Sequence, residues 1–523
     1  MLNTQFHSRK EKKKAMFRKI LIANRSEIAL RIIRACKELD VETAAVYSEA
    51  DRESLHIKLA HEAHHIGSSK SNQSYLNICK IIRTAKKANA DAVHPGYGFL
   101  AQIPAFAKAC EENHLKFIGP SSAVLEKMGN KVLARETMAK AGLTVVPGST
   151  DAVRDVDEAN EASEKLGFPI VLKAIYGGGG RGMRIVESKQ EMGKTFELAQ
   201  LEAEAAFGSG EIYVEKRLMN PRHVEFQILA DEKGNVIHLG ERECSIQRKH
   251  QKLMEESPSP MMTDELRKTM GNMAVQAAKA VNYTNAGTIE FLVDEKANFY
   301  FLEMNTRLQV EHLVTELVTG VDIVKEQIRI ADGASLQHKQ EDITLNGHAI
   351  DCRINAEDPN KDFIPCPGTV TAYRAPGGPG VRVDSALYSG YTVPVVYDSL
   401  ISKLAVWGRN REEAIRRMRN ALDEYRIEGF ETTIPLHKKI LEDEHFIEGR
   451  INTGFVHNRI RGTVLERGLG NEDVAALVVA LSLSKRKRKS DLAVIPQRRP
   501  AAGSRWRTFG RVSLEAQDFK WST

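Results

Sequence analysis

The sequence predicts an α/β fold in which a parallel sheet near the amino terminus is followed by antiparallel sheets. Apolar segments at 17–23 and 42–47 flank a stretch with helical apolar spacing, and a strand–helix–strand unit implies a parallel sheet. Apolar segments at 288–293 and 299–304 flank a polar turn, which is the signature of a β-hairpin. Residues 369–407 hold short apolar runs separated by Gly and Pro, as antiparallel strands do. A chain of 523 residues is long enough for about three domains.

A glycine-containing turn follows the third predicted strand of the first unit. This strand, at 90–94, leads directly into Pro95-Gly96-Tyr97-Gly98-Phe99. Glycines in this position suit the close approach of a ligand to the carboxyl edge of an open sheet. A tight turn without a ligand explains the same residues equally well, so both interpretations stay open at this point.

A longer glycine run, GGGGRGM at 177–183, lies between predicted strands at 168–173 and 184–186. Backbone N–H groups in such a run can wrap phosphate oxygens. The run is not a Walker loop, because no Gly-Lys-Ser/Thr follows and no helix begins there. Flexible linkers have a similar composition, but the position between two strands favours a mobile phosphate-binding flap.

The segments that follow combine strand patterns with charge. A predicted strand at 211–218 contains Glu215 and Lys216, which could contact an adenine edge or simply end a strand. Residues 223–227 alternate as a half-buried strand does. Residues 239–252 are dense in charge, which is typical of a solvated face or, beside phosphates, of an anion clamp. Helical spacing predicts helices at 263–280, 321–331 and 412–425, and alternation predicts a strand at 352–358.

The predicted hairpin carries two carboxylates, Glu290 and Glu303, one in each strand. A carboxylate in an apolar strand is costly unless it is paired or bound to a cation. Asn305 follows Glu303 by two residues, so strand alternation places both on one face. Two carboxylates and an amide oxygen form a hard-oxygen site that suits Mg²⁺ or Mn²⁺ carrying phosphates.

The alternation continues past this predicted metal site. Arg307, Gln309 and Glu311 would place a cation, an amide and another carboxylate next to the metal. The alternative is an edge hairpin with a salt-bridged polar face and no metal.

Composition limits the class of protein. Six scattered cysteines form no CxxC pair, so neither a disulfide framework nor a zinc site is predicted and a reducing, cytoplasmic setting fits. No apolar run approaches the ~20 residues of a membrane span. The net charge of +6 comes from basic ends, 1–15 and 484–523, so the body is mildly acidic and a broad nucleic-acid surface is not expected. The apolar run 474–483 with its basic flank could touch an anionic membrane or an acidic partner, but a solvated tail is favoured.

Taken together, the motifs resemble those of the biotin carboxylase family, whose members are ATP-grasp enzymes. The resemblance covers residues 16–458, in the family's order and spacing, and is strongest to the separate biotin carboxylase subunit of pyruvate carboxylase or acetyl-CoA carboxylase. The matching motifs are ILIANRSEIALR, HPGYGFL, KAIYGGGGRGM, PRHVEFQ, ERECSIQRKHQK, FLEMNTRLQVEH and CRINAEDP.

The resemblance implies roles for residues at matching positions. ATP-binding positions are Lys131, Lys173, Gly179, Gly180, Glu215, Lys216, Leu218, His223 and His250. Metal ligands are Glu290, Glu303 and Asn305, and bicarbonate contacts are Lys252, Arg307 and Val310. Glu311 matches the general base, Arg353 the residue that stabilises the biotin enolate, and Tyr97 a position near bound biotin.

The resemblance also implies the domain plan and the reaction. A disordered extension (1–15) would precede an N-terminal biotin carboxylase domain (16–128) and an ATP-grasp domain (129–345), with a mobile glycine-rich lid at about 146–218. A C-terminal α+β domain (346–458) with an antiparallel sheet and a poorly ordered basic tail (459–523) would follow. The expected reaction is ATP-dependent carboxylation of biotin with bicarbonate through carboxyphosphate, using two Mg²⁺ or Mn²⁺ ions. No biotinylation motif or carboxyltransferase region is recognised, so the expected partners are a separate biotin carboxyl carrier protein and a carboxyltransferase chain, with a homodimer suggested by the family.

Departures and alternatives accompany this resemblance. The family's usual residues are replaced at Ser26, Asn130, Leu313 and the stretch Ala101-Gln102-Ile103, where a carboxylate near the biotin pocket is missing. None of these changes removes a matched catalytic residue. Another ATP-grasp carboxylate–amine ligase would share the metal hairpin, and a non-catalytic protein could bind nucleic acid or membrane through its basic ends.

Overall fold

The computed structural model describes residues 17–176 and 182–460. The extension 1–15, the tail beyond residue 460 and the predicted ATP contacts Gly179 and Gly180 lie outside these residues. Within the described residues, no helix combines the length and apolarity that crossing a bilayer requires.

The predicted N-terminal parallel sheet is confirmed. Its strands are β1 (Lys19–Ile22), β2 (Glu42–Ser48), β3 (Glu62–Gly67), β4 (Ala92–His94) and β5 (Lys116–Phe117), in the spatial order β3-β2-β1-β4-β5. Its helices are α1 (Ser26–Glu38), α2 (Leu55–Leu59), α3 (Ile78–Lys87), α4 (Pro104–Glu112) and α5 (Ser122–Gly129). Ile20 and Ile22 pack on α1, whereas Leu21 faces the core of the opposite layer. The sequence did not predict β3, because this edge strand is only partly buried and lacks an apolar run.

A small antiparallel sheet follows. Its strands are β6 (Ile170–Ala174), β7 (Met183–Val186) and β8 (Ile212–Lys216), in the order β7-β6-β8, and the helices of this part are α6 (Lys131–Lys140), α7 (Val156–Leu166) and α8 (Met192–Phe207). The strands that flank the glycine run therefore pair with each other, as a flap requires. The Ala174 N–H closes this hairpin by donating to the Gly182 carbonyl at 2.9 Å.

An eight-stranded antiparallel sheet forms the largest sheet of the described chain. Its strands are β9 (Arg222–Ala230), β10 (Val236–Arg248), β11 (Gln251–Ser257), β12 (Asn285–Val293), β13 (Phe299–Asn305), β14 (His348–Asn355), β18 (Val381–Ser385) and β19 (Leu400–Gly408). Their order is β13-β12-β9-β10-β11-β14-β19-β18. Two further antiparallel pairs join β15 (Glu357–Asp358) to β16 (Ile364–Pro365) and β17 (Ala372–Arg374) to β20 (Arg426–Glu428). Because β11 pairs with β14, the large sheet crosses the boundary predicted near residue 345.

Helices pack on this sheet and on one another. They are α9 (Asp264–Ala280), α10 (His312–Thr319), α11 (Ile323–Ala331), α12 (Arg411–Glu424), α13 (Ile434–Glu442) and α14 (Glu444–Ile447). The three helices predicted from apolar spacing agree with α9, α11 and α12 to within two residues at each end. The Thr263 side chain caps α9 by accepting from the Leu266 N–H.

Burial contradicts one prediction and excludes one of two interpretations that the sequence left open. The strand predicted to be half-buried at 223–227 is buried on both faces, since Val224 and Phe226 pack in the core beside α9 and the polar residues between them meet other charged side chains. The charged segment 239–252 is not a solvated face but two strands, β10 and β11, which reverse at Lys249 and His250 with positive φ values of 48° and 65°. Arg242 is buried beside Glu225 of β9, and Lys252 is nearly buried against Glu225, Glu290 and Glu311, whereas Lys249 and His250 at the reversal are exposed.

Candidate active site

The strands β12 and β13 bring the predicted metal ligands together. Glu290 and Glu303 are direct cross-strand partners, and the ladder shifts register after Glu290. The Asn305 amide nitrogen donates to Glu290 Oε1 at 2.9 Å and to Glu303 Oε1 at 3.2 Å. The hairpin does lie at the edge of the sheet, as the alternative interpretation expected, but its polar face points into a cluster of charges rather than to solvent.

This face fits a divalent cation chemically. Burial and the neighbouring charge of Glu290 raise the pKa of Glu303, and a cation between the two carboxylates would relieve that repulsion. The Asn305 amide oxygen accepts from Arg307 Nη2 at 3.2 Å. Ligation by Asn305 therefore requires its amide to turn over and to give up this contact with Arg307.

Lys252, from β11, is the cation that links carboxylates from two strands and a turn. Its ammonium group lies 2.5 Å from Glu225 Oε2, 2.8 Å from Glu290 Oε1 and 2.6 Å from Glu311 Oε1. Burial disfavours a charged Glu290, but Lys252 and His223 outweigh it and hold the pKa of this carboxyl well below its usual range. His223 Nε2 lies 3.0 Å from Glu290 Oε2.

The segment after the hairpin is not the continued strand that alternation predicted. Residues 306–311 form a turn between β13 and α10. Arg307, Gln309 and Glu311 still face the site, because Leu308 between them is buried in the hydrophobic core. The Gln309 amide donates to Glu290 Oε1 at 3.1 Å. The spacing thus predicted which side chains face this cluster, although the segment is a turn and not a strand.

Arg353, from β14, completes the cluster on the side away from the β12–β13 hairpin. Its guanidinium donates to Glu255 Oε1 at 2.7 Å and to Glu311 Oε2 at 2.9 Å. Burial opposes the charge of Arg353, but these two carboxylates outweigh it and raise the pKa. Burial also opposes ionisation of Glu311, yet Lys252 lowers its pKa below the usual value, so Glu311 is a carboxylate at neutral pH.

Sequence reasoning missed three residues of this cluster: Glu225, Arg242 and Glu255. The Arg242 Nε group donates to Glu225 Oε1 at 2.6 Å, with both side chains buried. The signal for Glu225 was present, because it is a carboxylate within an apolar strand, as Glu290 is. Glu225 and Glu290 are in fact cross-strand partners in β9 and β12.

The predicted nucleotide contacts lie on the small sheet and the strands facing it. Lys173 and Arg135 both pair with Glu215, and Tyr213 donates to Glu215 Oε1 at 3.0 Å, so this carboxylate is engaged inside the protein. The Lys216 ammonium donates to the Gly167 carbonyl at 2.7 Å. Of the remaining contacts, Lys131 donates to the Ala174 carbonyl at 3.1 Å, Leu218 is half-buried after β8, and His250 is exposed at the β10–β11 reversal.

The turn that contains Tyr97 packs tightly against the start of α1. The Asn24 amide donates to the carbonyls of Pro95 and Tyr97 at 2.7 and 2.8 Å. Gly96 has a φ of +61°, and a Cβ there would lie 2.9 Å from the Asn24 amide nitrogen, so the turn itself requires this glycine. The Lys403 ammonium lies 5.4 Å from the Tyr97 ring centre and donates to the Val310 carbonyl at 3.1 Å.

Three family models match the chain in consecutive segments. Residues 16–125 match the biotin carboxylase N-terminal domain, 130–339 the ATP-binding domain of the carbamoyl-phosphate synthase L chain, and 351–458 the biotin carboxylase C-terminal domain.

Whole-chain relatives agree with these models. A pyruvate carboxylase subunit of Methanothermobacter thermautotrophicus is 54% identical over 88% of this chain and 93% of its own. Biotin carboxylase 1 of Bacillus subtilis is 54% identical over 84% of this chain and 98% of its own. The crystal structure of the biotin carboxylase domain dimer of Hydrogenobacter thermophilus 2-oxoglutarate carboxylase, in complex with MgADP, ADP and bicarbonate, is 50% identical and superimposes with a TM-score of 0.85 over 87% of this chain and all of that one. The chain therefore belongs to the biotin carboxylase family and is an ATP-dependent biotin carboxylase with an ATP-grasp fold.

Proposed function

We propose that the cluster around Lys252, Glu311 and Arg353 carboxylates biotin held by a separate carrier protein, with ATP and bicarbonate as co-substrates. The observation that carries this proposal is the position of Glu311, which is held between Lys252 at 2.6 Å and Arg353 at 2.9 Å beside the metal hairpin. A base, an anion-binding cation and an enolate-stabilising guanidinium are thereby adjacent. The structure of the bicarbonate and MgADP complex of the Hydrogenobacter relative supports the same ligands here.

Glu311 takes the proton of bicarbonate in this proposal. The carboxylate is ionised, as a base must be, but its pairing with two cations makes it weakly basic. Bicarbonate that binds to Lys252 and Arg307 would draw positive charge away from Glu311 and so raise its basicity at the moment of proton transfer. The deprotonated oxygen then attacks the γ-phosphorus of ATP, ADP leaves, and carboxyphosphate is formed.

Divalent cations at Glu290 and Glu303, when bound, neutralise charge on the transferring phosphoryl group. Among the described residues, we assign seven to nucleotide binding: Lys131, Lys173, Glu215, Lys216, Leu218, His223 and His250. Lys173 and Arg135 both form ion pairs with the buried carboxylate of Glu215. The hairpin of β6 and β7 would act as the lid that keeps water from carboxyphosphate.

Arg353 acts in the second half of the reaction. Carboxyphosphate breaks down to CO₂ and phosphate, and the phosphate takes the N1 proton of biotin. The resulting enolate oxygen needs a cation, and Arg353 supplies one that is oriented by hydrogen bonds to Glu255 and Glu311. N1 then attacks CO₂ to give carboxybiotin. Tyr97, whose ring lies 5.4 Å from the Lys403 ammonium, would lie near biotin, and Val310, whose carbonyl accepts from Lys403, would contact bicarbonate.

We propose that the carrier and a carboxyltransferase are separate chains. One matched relative is named as a subunit of its carboxylase, and this chain covers 93% and 98% of the first two relatives' lengths. A homodimer is proposed from the dimeric Hydrogenobacter domain. The domain limits 16–128, 129–345 and 346–458 are retained as a proposal. The six cysteines are free, which supports a reducing compartment such as the cytoplasm.

The test is ATP hydrolysis by the purified chain with bicarbonate and free biotin. Wild-type hydrolysis should depend on both, and Glu311→Gln and Arg353→Ala should each lower kcat by roughly 10²- to 10⁴-fold. Glu412→Gln and Arg416→Ala make the same changes in an exposed pair on α12 and should leave kcat unchanged. Hydrolysis that ignores both bicarbonate and biotin would overturn the proposal, and dependence on an amine would support the carboxylate–amine ligase instead.

A further inference from the structure

Arg307 differs from the other cations of the site in the charge of its partners. Its guanidinium donates to Gln102 Oε1 at 2.6 Å, to Gln309 Oε1 at 3.0 Å, to the Leu308 carbonyl at 3.1 Å and to Asn305 Oδ1 at 3.2 Å. Every one of these oxygens is uncharged. Among the described residues, no carboxylate forms an ion pair with Arg307.

The neighbouring cations, in contrast, are paired with carboxylates. Lys252 contacts three carboxylates, Arg353 contacts two, and Arg242 contacts one. Burial lowers the pKa of Arg307 because it outweighs the through-space attraction of Glu311, Glu290 and Glu303, although a guanidinium stays protonated throughout the neutral range. Arg307 therefore holds a positive charge that its own hydrogen bonds orient but do not cancel.

Gln102 makes the shortest of these contacts and comes from a distant part of the chain. It lies between β4 and α4, half-buried, and its neighbours Leu100 and Ala101 are anchored in the core. Its amide nitrogen donates to Thr306 Oγ1 at 3.4 Å. Both ends of the amide are thus used, which fixes the oxygen toward Arg307.

We propose that Gln102 is a positioning residue that orients Arg307 without neutralising it, and so sets the affinity of the site for a small oxyanion, namely bicarbonate. A carboxylate in the same place would form a charge-assisted pair with the guanidinium and compete with the bound anion. An amide supplies the hydrogen bond alone. This inference rests on the proposed function, and it places the specificity of the anion site partly in the N-terminal domain.

The test compares Gln102→Glu with Gln102→Ala and with Gln337→Glu, which adds the same charge at an exposed position. Gln102→Glu should raise the KM for bicarbonate roughly tenfold and leave the KM for ATP within about twofold. Gln102→Ala should instead lower kcat, because the guanidinium loses the hydrogen bond that orients it. The KM for bicarbonate should change by less than about threefold. Gln337→Glu should match the wild type.

Bicarbonate binding in the MgADP complex, followed by ¹³C NMR titration, provides a readout that needs no turnover. A roughly tenfold weaker Kd for Gln102→Glu would support the inference even if the wild type failed the hydrolysis test of the proposed function. An unchanged Kd and KM in a folded Gln102→Glu protein would overturn it. Equal increases in the KM of the Glu and Ala variants would also overturn it, because charge would then not be the cause.

Discussion

Two pairs of acids lie opposite each other in the same eight-stranded sheet, and their surroundings differ. Glu290 faces Glu303 across β12 and β13, and Glu255 faces Asp351 across β11 and β14. Like charges directly opposite each other on neighbouring strands are destabilising. Each pair therefore needs a cation or a proton, and the surroundings decide which of the two it receives.

The pair at the hairpin is surrounded by hydrogen-bond donors. Glu290 contacts Lys252, His223, Asn305 and Gln309, and its pKa stays low although it is buried. Glu303 is half-buried and shares the Asn305 amide. Glu290 is therefore ionised, and Glu303, whose pKa is raised by burial and by Glu290, is the carboxylate whose charged form a bound cation would favour.

The pair beneath Arg353 is fully enclosed. Burial raises the pKa of Glu255 to about 7, since Arg353 compensates only in part. Burial and the charge of Glu255 raise the pKa of Asp351 well above its usual value. Among the described residues, neither Asp351 oxygen has a hydrogen-bond partner. The raised pKa values favour a proton on this pair at neutral pH, whereas the same arrangement of acids at the hairpin fits the cation site that we propose.

The largest effect should come from the hairpin pair. Glu290→Gln removes the charge that Lys252 and His223 pair with, and we expect kcat to fall by roughly 10²-fold or more. Glu303→Gln should raise the Mg²⁺ concentration for half-maximal rate about tenfold, because one anionic ligand is lost. A magnesium titration of the steady-state rate measures both effects. An unchanged magnesium requirement in both variants would contradict the assignment of this pair to the metal.

A smaller effect is expected at Glu255. Glu255→Gln keeps an oxygen that can accept from Arg353 but removes the negative charge, so the guanidinium loses one of its two ion-pair partners. We expect kcat with free biotin to fall about tenfold while the magnesium requirement stays the same. If Glu255→Gln raised the magnesium requirement as Glu303→Gln is expected to, the two acid pairs would not be functionally distinct.

Asp351 should affect stability rather than catalysis. Because its folded pKa is raised, the native state binds more protons than the unfolded state, and stability is lost as pH rises above the unfolded value of about 4. Asp351→Asn cannot ionise, so it should match the wild type near pH 4 and exceed it by about 2 kcal/mol at pH 7. Urea unfolding at both pH values measures this difference. A difference independent of pH would show that Asp351 is ionised in the native state.

The sequence predicted best where a local pattern and tertiary burial agree. The strands flanking the glycine run, the hairpin and helix α9 were predicted from apolar runs or apolar spacing within each segment, and the burial of those apolar residues agrees. Strand β3 was missed because an edge strand needs no apolar run. The charged segment at β10 and β11 was ambiguous because the partners of Arg242 and Lys252 are contributed by segments distant in the chain.

The sequence by itself determined the family and the parallel and antiparallel sheets, and it predicted part of the charged cluster at the site, since these depend on residue type, spacing and local periodicity. Tertiary structure decided which charges meet. Lys252 joins acids from three other segments, Gln102 reaches Arg307 across 205 residues, and Asp351, next to Glu255, has no hydrogen-bond partner within the described part of the chain. Electrostatic roles depend on distance and burial, and neither is fixed until the strands have packed.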